Sequence, residues 1–243
     1  MEINILFLIA LFIVAFMYAS VGHGGASGYL ALMALFGVST IFMRSSALIL
    51  NLFVSVVSFY AFYKGGYFKI KLLVPFIIGS LPMAFLGARM NIDPQLFKFI
   101  LGIFLVIAVT RMIYVPKSDR KEIIPFNFVI AFFIGAFLGF FSGLIGIGGG
   151  IILSPLLLLL GWANMKETAA ISASFIFLNS ASGIAGLISS GIHVSPHLLY
   201  WVIVAFMGGI LGAYMGSFKL SLVKLKYLLA FVLFLASIKL FLV

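Results

Sequence analysis

Ten apolar segments succeed one another along the chain, at roughly 3–21, 24–37, 45–63, 71–88, 97–115, 124–142, 147–161, 169–189, 197–217 and 222–243. Their apolar residues run continuously rather than alternating, and most segments have membrane-spanning length. The pattern predicts an all-α, polytopic helical membrane protein, because a β-barrel would show short alternating strands. The one sizeable polar connection, Pro116-Lys117-Ser118-Asp119-Arg120-Lys121-Glu122, divides the chain into near-equal halves. The organisation expected is a first membrane repeat over 1–115, a cytoplasmic linker over 116–123 and a second membrane repeat over 124–243.

Both halves open alike, with a long apolar run, a glycine cluster and a shorter run ending at Gly37 or Gly161. The clusters read GHGGASG from residue 22 and GIGGGII from residue 146. An offset of 124 places Gly22 on Gly146, Gly24 on Gly148, Gly25 on Gly149 and Gly37 on Gly161. Such placement points to an internal duplication, the common construction of transporters.

Length and charge decide how these openings run. A single helix over residues 3–37 would be about 52 Å long, against a hydrocarbon core of about 30 Å. The segment must tilt extremely or turn back at its glycines. Lys and Arg collect in cytoplasmic loops. If residues 3–37 and 124–161 each cross once, the two faces hold eight and seven cations, which is no bias. If each reverses at its glycines, one face gathers eleven and the other keeps four: Arg44, Arg89, Lys98 and Lys239. The hairpin arrangement therefore predicts both termini outside the plasma (inner) membrane. Three spans then follow each hairpin, an odd number, so the two repeats are inverted. This parity leaves open whether the hairpin arms cross fully or are re-entrant. The opening Met1-Glu2-Ile3-Asn4 lacks a basic region and a small-residue cleavage site, so the first apolar run is expected to be retained.

Composition narrows the function. With 65% hydrophobic and 8% charged residues the chain has no room for a separate soluble domain. The net charge of +10 is scattered singly and in small groups between apolar runs, which is the pattern of membrane loops and argues against nucleic acid. There is no cysteine, hence no disulfide or thiolate chemistry. All five acids, Glu2, Asp93, Asp119, Glu122 and Glu167, fall at predicted ends or loops. Cation transporters and proton pumps usually carry a carboxylate at mid-membrane, so a cation substrate is disfavoured. No carboxylate pair or ligand cluster supports an enzyme, a metal or a cofactor. His193 and His197 straddle a short loop and read as solvated.

A helix restarting after a glycine turn exposes backbone N–H groups that lack helical partners, at the positive end of its dipole. Glycine lets an anion approach that backbone closely. Gly24, Gly25, Ala26 and Ser27 would open one such helix, and Gly148, Gly149 and Gly150 the other. Inverted repeats would bring the two turns to one central cavity. Lone intramembrane glycines more often serve helix packing, which is the reading for Gly135 with Gly139 and Gly208 with Gly212.

The stretch GIGGGIILSPLLLLLGW, Gly146 to Trp162, resembles the signature of the TauE/SafE family of membrane proteins, and the duplicate from Gly22 resembles it again. The resemblance implies transport of small sulfur-containing anions, such as sulfite or organosulfur acids. Gly146, Gly148, Gly149, Gly150 and Pro155 match, whereas the first copy has Ala26 and Ala31 at the third glycine and the proline. It also carries His23 where the second has Ile147.

His23 is the one ionisable group expected within the membrane. It can hydrogen-bond an oxyanion, titrate near neutrality and couple a proton, or sit neutral on a backbone carbonyl. Ser27, Asn51, Ser55, Ser172, Ser174, Asn179 and Ser182 lie in or near spans facing the hairpins. Asn51 and Asn179 stand out as amides well inside a span. Arg44 begins the third segment and reads as an interfacial anchor before an anion attractor. The substrate-binding set expected is Gly22, His23, Gly24, Gly25, Ser27, Asn51, Gly146, Gly148, Gly149, Gly150 and Asn179. The function expected is a secondary transporter, an exporter, of a small sulfur-containing anion at the membrane midplane. Its partners would be that anion, the lipid bilayer and a coupling proton or sodium ion. The alternatives are an anion channel using the same turns as a filter and a membrane-embedded enzyme, for which the sequence offers no catalytic constellation.

Overall fold

A computed structural model describes residues 5–113, 124–191, 198–217, 233–235 and 237–242. The central linker 116–123, Glu2, His193, His197, Lys219, Lys224 and Lys226 lie outside the described residues, as does the side chain of Arg111. The helices are α1 (Ile5–Ser20), α2 (Ala26–Leu35), α3 (Thr40–Lys64), α4 (Ile70–Arg89), α5 (Pro94–Ile113), α6 (Phe128–Ile145), α7 (Gly150–Leu159), α8 (Met165–Ser189) and α9 (Leu198–Ser217). Residues 233–235 and 237–242 are also helical. Among the described residues, five helices are long and apolar enough to cross a membrane: α3, α4, α6, α8 and Leu198–Gly216 of α9.

Two of the long helices, α3 and α8, start earlier than hydropathy alone predicts. α8 begins at Met165 rather than near 169 because Asn164 caps it, accepting from the Lys166 and Glu167 N–H groups while Glu167 reaches back to the Asn164 N–H. The polar first turn belongs to the helix, and such a reciprocal cap is worth about 1 kcal/mol. α3 begins at Thr40 and carries Arg44, Ser45 and Ser46 inside its first two turns.

Both glycine-interrupted segments turn back. In the first, the Tyr18 hydroxyl meets that of Ser27 at 2.6 Å beside the turn, and at the far end the rings of Phe7 and Phe36 stand 5.3 Å apart. In the second, the Ile124 N–H donates to the Gly161 carbonyl at 2.8 Å, and Phe126 approaches Trp162. The returning arms α2 and α7 have 10 residues each. That is about 15 Å of helix, half the hydrocarbon thickness, so they are re-entrant rather than spanning.

Helix directions agree with this reversal. α3 and α8 pack antiparallel: Leu48 lies against Gly183, and Phe62 clusters with Ala169 and Ala170. A single crossing of 124–161 would have made them parallel. α4 and α6 run parallel, with Gly79 against Phe132 and Gly87 against Phe140. So do α1 and α9, with Gly208 against Phe12 and Gly212 against Phe16. The main helix pairings recur when the halves are exchanged: α1 packs on α9 as α6 on α4, and α3 on α9 as α8 on α4.

Glycine makes these contacts possible. A Cβ on Gly135, Gly139 or Gly143 would overlap a carbonyl oxygen of α4, at Phe76, Ser80 or Ala84 respectively. One on Gly208, Gly212 or Gly216 would overlap α1 at Phe12, Phe16 or Ser20. In lipid no hydrophobic force distinguishes helix from tail, so backbone approach of this kind supplies the packing. Polarity is distributed accordingly. Phe133, Phe137, Ile188, Leu199 and Tyr214 are exposed, whereas Asn51, Ser55, Ser58, Ser154, Ser172 and Asn179 are wholly buried.

The cysteine-free chain permits a direct check of helix direction. Leu48→Cys with Gly183→Cys should cross-link under mild oxidation. Leu48→Cys with Ala173→Cys, about 15 Å further along α8, should not; the reverse outcome would overturn the antiparallel pairing.

Candidate functional site

The first turn begins where Gly22 ends α1 in the left-handed conformation, φ +78. Its N–H bonds Ala19 O, and the His23 N–H bonds Tyr18 O at 2.9 Å, closing the last carbonyls of the helix. Gly25, also left-handed, then starts α2. The second turn repeats this with Gly146 ending α6 and left-handed Gly149 starting α7. Side-chain-bearing residues rarely adopt such angles, which accounts for glycine at these matched places.

The two restarting helices have glycine N-caps and therefore no side-chain acceptor for their first-turn N–H groups. α6 and α8, by contrast, are capped by Asn127 and Asn164. α3 and α4 also lack a side-chain cap, but their starts at Ser39 and Lys69 are exposed, whereas Gly24 to Gly28 and Gly146 to Ile151 are all buried. Partial positive charge and backbone donors are thus held inside the bundle, in surroundings that screen them little.

The two turns meet at the centre of the two longest helices. Asn51 and Ile176 occupy the twelfth position of α3 and α8 respectively, each of 25 residues. A Cβ on Gly24 would lie 2.5 Å from Asn51 Oδ1 and 2.8 Å from Ile176 Cγ2; one on Gly148 would lie 2.5 Å from Asn51 Nδ2 and 3.1 Å from Ile176 Cγ2. The Asn51 amide is therefore wedged between the turns, fully buried. Its Nδ2 donates to Ile147 O at 3.4 Å, and its Oδ1 has no hydrogen-bond partner. Further out, Gly22 packs on Ala169, Gly146 on Arg44, Gly149 on Phe175 and Gly150 on Ile176.

His23 is 3% exposed. Its Nδ1 lies 3.0 Å from Val21 O and its Nε2 2.8 Å from Ser154 Oγ on α7. Ser154 also bonds Gly150 O at 3.0 Å and Ser172 Oγ of α8 at 2.7 Å. The first turn is braced from both its helices: Tyr18 bonds Ser27, and the Tyr29 hydroxyl donates to Gly24 O at 2.7 Å. Of the residues expected from sequence, Gly24, Gly148 and Asn51 come together, with His23 on one flank. Asn179 instead donates to Phe175 O of its own helix. Ser182 donates to Leu81 O of α4 and Ser174 to carbonyls of its own helix, so both act as glue. Sequence reasoning missed Ser154, Tyr18 and Tyr29. Ser154 stands one turn after Gly150, next to Pro155 of the matched motif, and that spacing was the available signal.

Arg44 is buried and committed to the backbone. Its guanidinium donates to Gly143 O, Met90 O, Gly87 O and Ala88 O, joining the ends of α4 and α6. An open cavity of about 450 Å³ lies apart from the turns, lined by Phe68, Lys69, Lys71, Phe126 and Trp162 among others. Lys69 there is paired with Glu167 at 2.6 Å.

A membrane bundle of this kind, and the proteins it resembles, make the chain a polytopic membrane transporter. It belongs to the TauE/SafE sulfite exporter family, whose pattern matches residues 6–240. It is 35% identical to the "Probable membrane transporter protein y4hK" of Sinorhizobium fredii over 96% of each chain. It is 30% identical to the "Probable membrane transporter protein YunE" of Bacillus subtilis over 69% of each. No solved structure matches the chain.

Arg44→Met should destabilise the protein severely, because each buried carbonyl left without a donor costs about 1–3 kcal/mol. Thermal unfolding in detergent should show the loss whether or not anions are present. Recovery by added anion would instead make Arg44 part of a ligand site.

Proposed function

We propose that the protein is a secondary transporter that exports small sulfur-containing anions, sulfite or organosulfur acids. The anion would bind between the glycine turns at the N-termini of α2 and α7. The observation that carries this reading is the meeting of two uncapped, buried helix starts on either side of one unsatisfied amide, Asn51, halfway along the two longest helices. Backbone donors and dipoles concentrated in a dry interior bind oxyanions without a charged side chain. The substrate name attached to the family supports the sulfur-anion class.

The halves 1–115 and 124–243 act as inverted repeats about this site. The antiparallel run of the equivalent helices α3 and α8 supports this inversion, as do the main helix pairings that recur on exchange of the halves. Burial of both turns means an anion enters only when the repeats shift, which favours alternating access over an open channel. The cation asymmetry supports a plasma-membrane orientation with both termini outside. An inside-negative potential alone, with no ion carried along, favours anion export.

Two experiments test this. Purified protein should be stabilised against heat by one class within a panel of sulfite, thiosulfate, sulfate, sulfonates and carboxylates, and proteoliposomes should show saturable counterflow of that class. Gly24→Ala, which pushes a methyl onto Asn51, should abolish both effects; wild-type uptake in that variant would defeat the glycine-turn site. Gly149 is a poorer test, since its left-handed backbone makes any substitution strain the fold as well. Separately, a tag at either terminus should be reached from outside the cell, and cytoplasmic accessibility of both would reverse the orientation.

A further inference from the structure

The buried chain His23–Ser154–Ser172 accounts for its protons in two different ways. Val21 O can only accept, so at 3.0 Å it fixes a proton on His23 Nδ1. Ser154 has one proton, and besides Ser172 Oγ it has two acceptors within reach, His23 Nε2 at 2.8 Å and Gly150 O at 3.0 Å. With a neutral ring, Ser154 donates to Nε2. With a charged ring, Nε2–H donates to Ser154, which turns its own proton to Gly150 O. In either state the Ser172 hydroxyl, 2.7 Å away, donates to Ser154. A single hydroxyl rotation therefore accommodates uptake of a proton at Nε2 with no group left unpaired.

We infer that His23 is the proton-coupling site of the transporter, taking one proton from water on the open side as the anion docks and releasing it when the anion leaves. The inference rests on the anion site proposed above. Burying an anion or an imidazolium alone is costly, and burying them together offsets much of that cost. His23 directly precedes Gly24 of the central wedge, so the ring belongs to the same turn as the bound charge. The side chains bonded to its ring here are hydroxyls, Ser154 on α7 with Ser172 behind it on α8, and Ser58 on α3 bonds its carbonyl. Within the same turn, Tyr18 of α1 is engaged with Ser27 and Tyr29 of α2 with Gly24 O. Among the described residues, the charged groups near the turns are already committed. Glu167, two residues before the Ala169 that packs on Gly22, is paired with Lys69. Arg44, beside the other turn, is bound to carbonyls.

The test uses the full chain in proteoliposomes with methanesulfonate, which does not titrate near neutrality, and counts protons moved per anion. Wild-type protein should move protons with the anion, so a monovalent anion crosses without net charge and leaves down its own outward gradient rather than on the membrane potential. His23→Gln should lose proton movement, and Ser154→Ala, which leaves the charged ring without its acceptor, should lower the proton-to-anion ratio. Because a variant could misfold, histidine ring NMR is run on folded protein carrying His193→Gln and His197→Gln. His23 should be neutral with its proton on Nδ1 without anion, and an imidazolium with methanesulfonate bound. Saturable uptake with no proton movement, or with the ring neutral in the loaded state, would overturn the coupling site and leave the anion site standing. Absence of saturable uptake for this and the other panel anions would remove both.

Discussion

Two backbone turns reach the middle of a membrane bundle and stop there, and every nearby feature follows from having to hold them. In lipid an unsatisfied backbone group costs several kcal/mol, so irregular chain at that depth has to be enclosed by protein. Enclosure requires helices that come very close. Asn51 and Ile176 fit against Gly24 and Gly148 only because neither glycine carries a Cβ. The same requirement extends outward: α4 with α6, and α1 with α9, approach until only glycine fits at the backbone of the neighbour. Arg44 then closes the helix ends that this packing leaves buried, supplying donors to carbonyls of both α4 and α6.

Much of this was legible from sequence, for identifiable reasons. Continuous apolar runs locate spans because a lipid-facing helix needs no polar face, and the all-α membrane bundle follows. Arithmetic on residues 3–37 exposes the reversal because helix rise and bilayer thickness are nearly fixed numbers. The rise also turns the 10-residue arms α2 and α7 into re-entrant ones once their ends are known. Helix starts were less legible: the polar first turn of α8 reads as loop until Asn164 and Glu167 are recognised as reciprocal caps.

The site was legible only in part. Gly24, Gly148 and Asn51 are recognisable as a repeated turn and a mid-span amide. Asn179 passes the same criterion, yet it stands three residues beyond Ile176, about 60° around the helix and one turn along, and bonds its own backbone. Ser154 lies 131 residues from the histidine it touches. No periodicity within one helix encodes that distance; the crossing of the halves does.

The equivalence of the halves has a further consequence for mechanism. α2 and α7 begin 124 residues apart and α3 and α8 begin 125 apart. These offsets place His23 on Ile147, Arg44 on Ala169 and Asn51 on Ile176. Conversely, Ser154 falls on Leu30 and Ser172 on Ala47. At each of these positions one half is polar and the other apolar. Turn geometry and helix packing are kept in duplicate. These hydrogen-bonding groups are present once each, and two of their bonds cross the boundary between the halves at the turns: Asn51 to Ile147 and His23 to Ser154. Under the proposed inverted-repeat mechanism, a symmetric scaffold would have two equivalent ways to open, one on each face. On that reading an asymmetric lining would give it one binding arrangement rather than two competing ones, and the cross-half bonds would tie the state of that lining to the relative position of the halves.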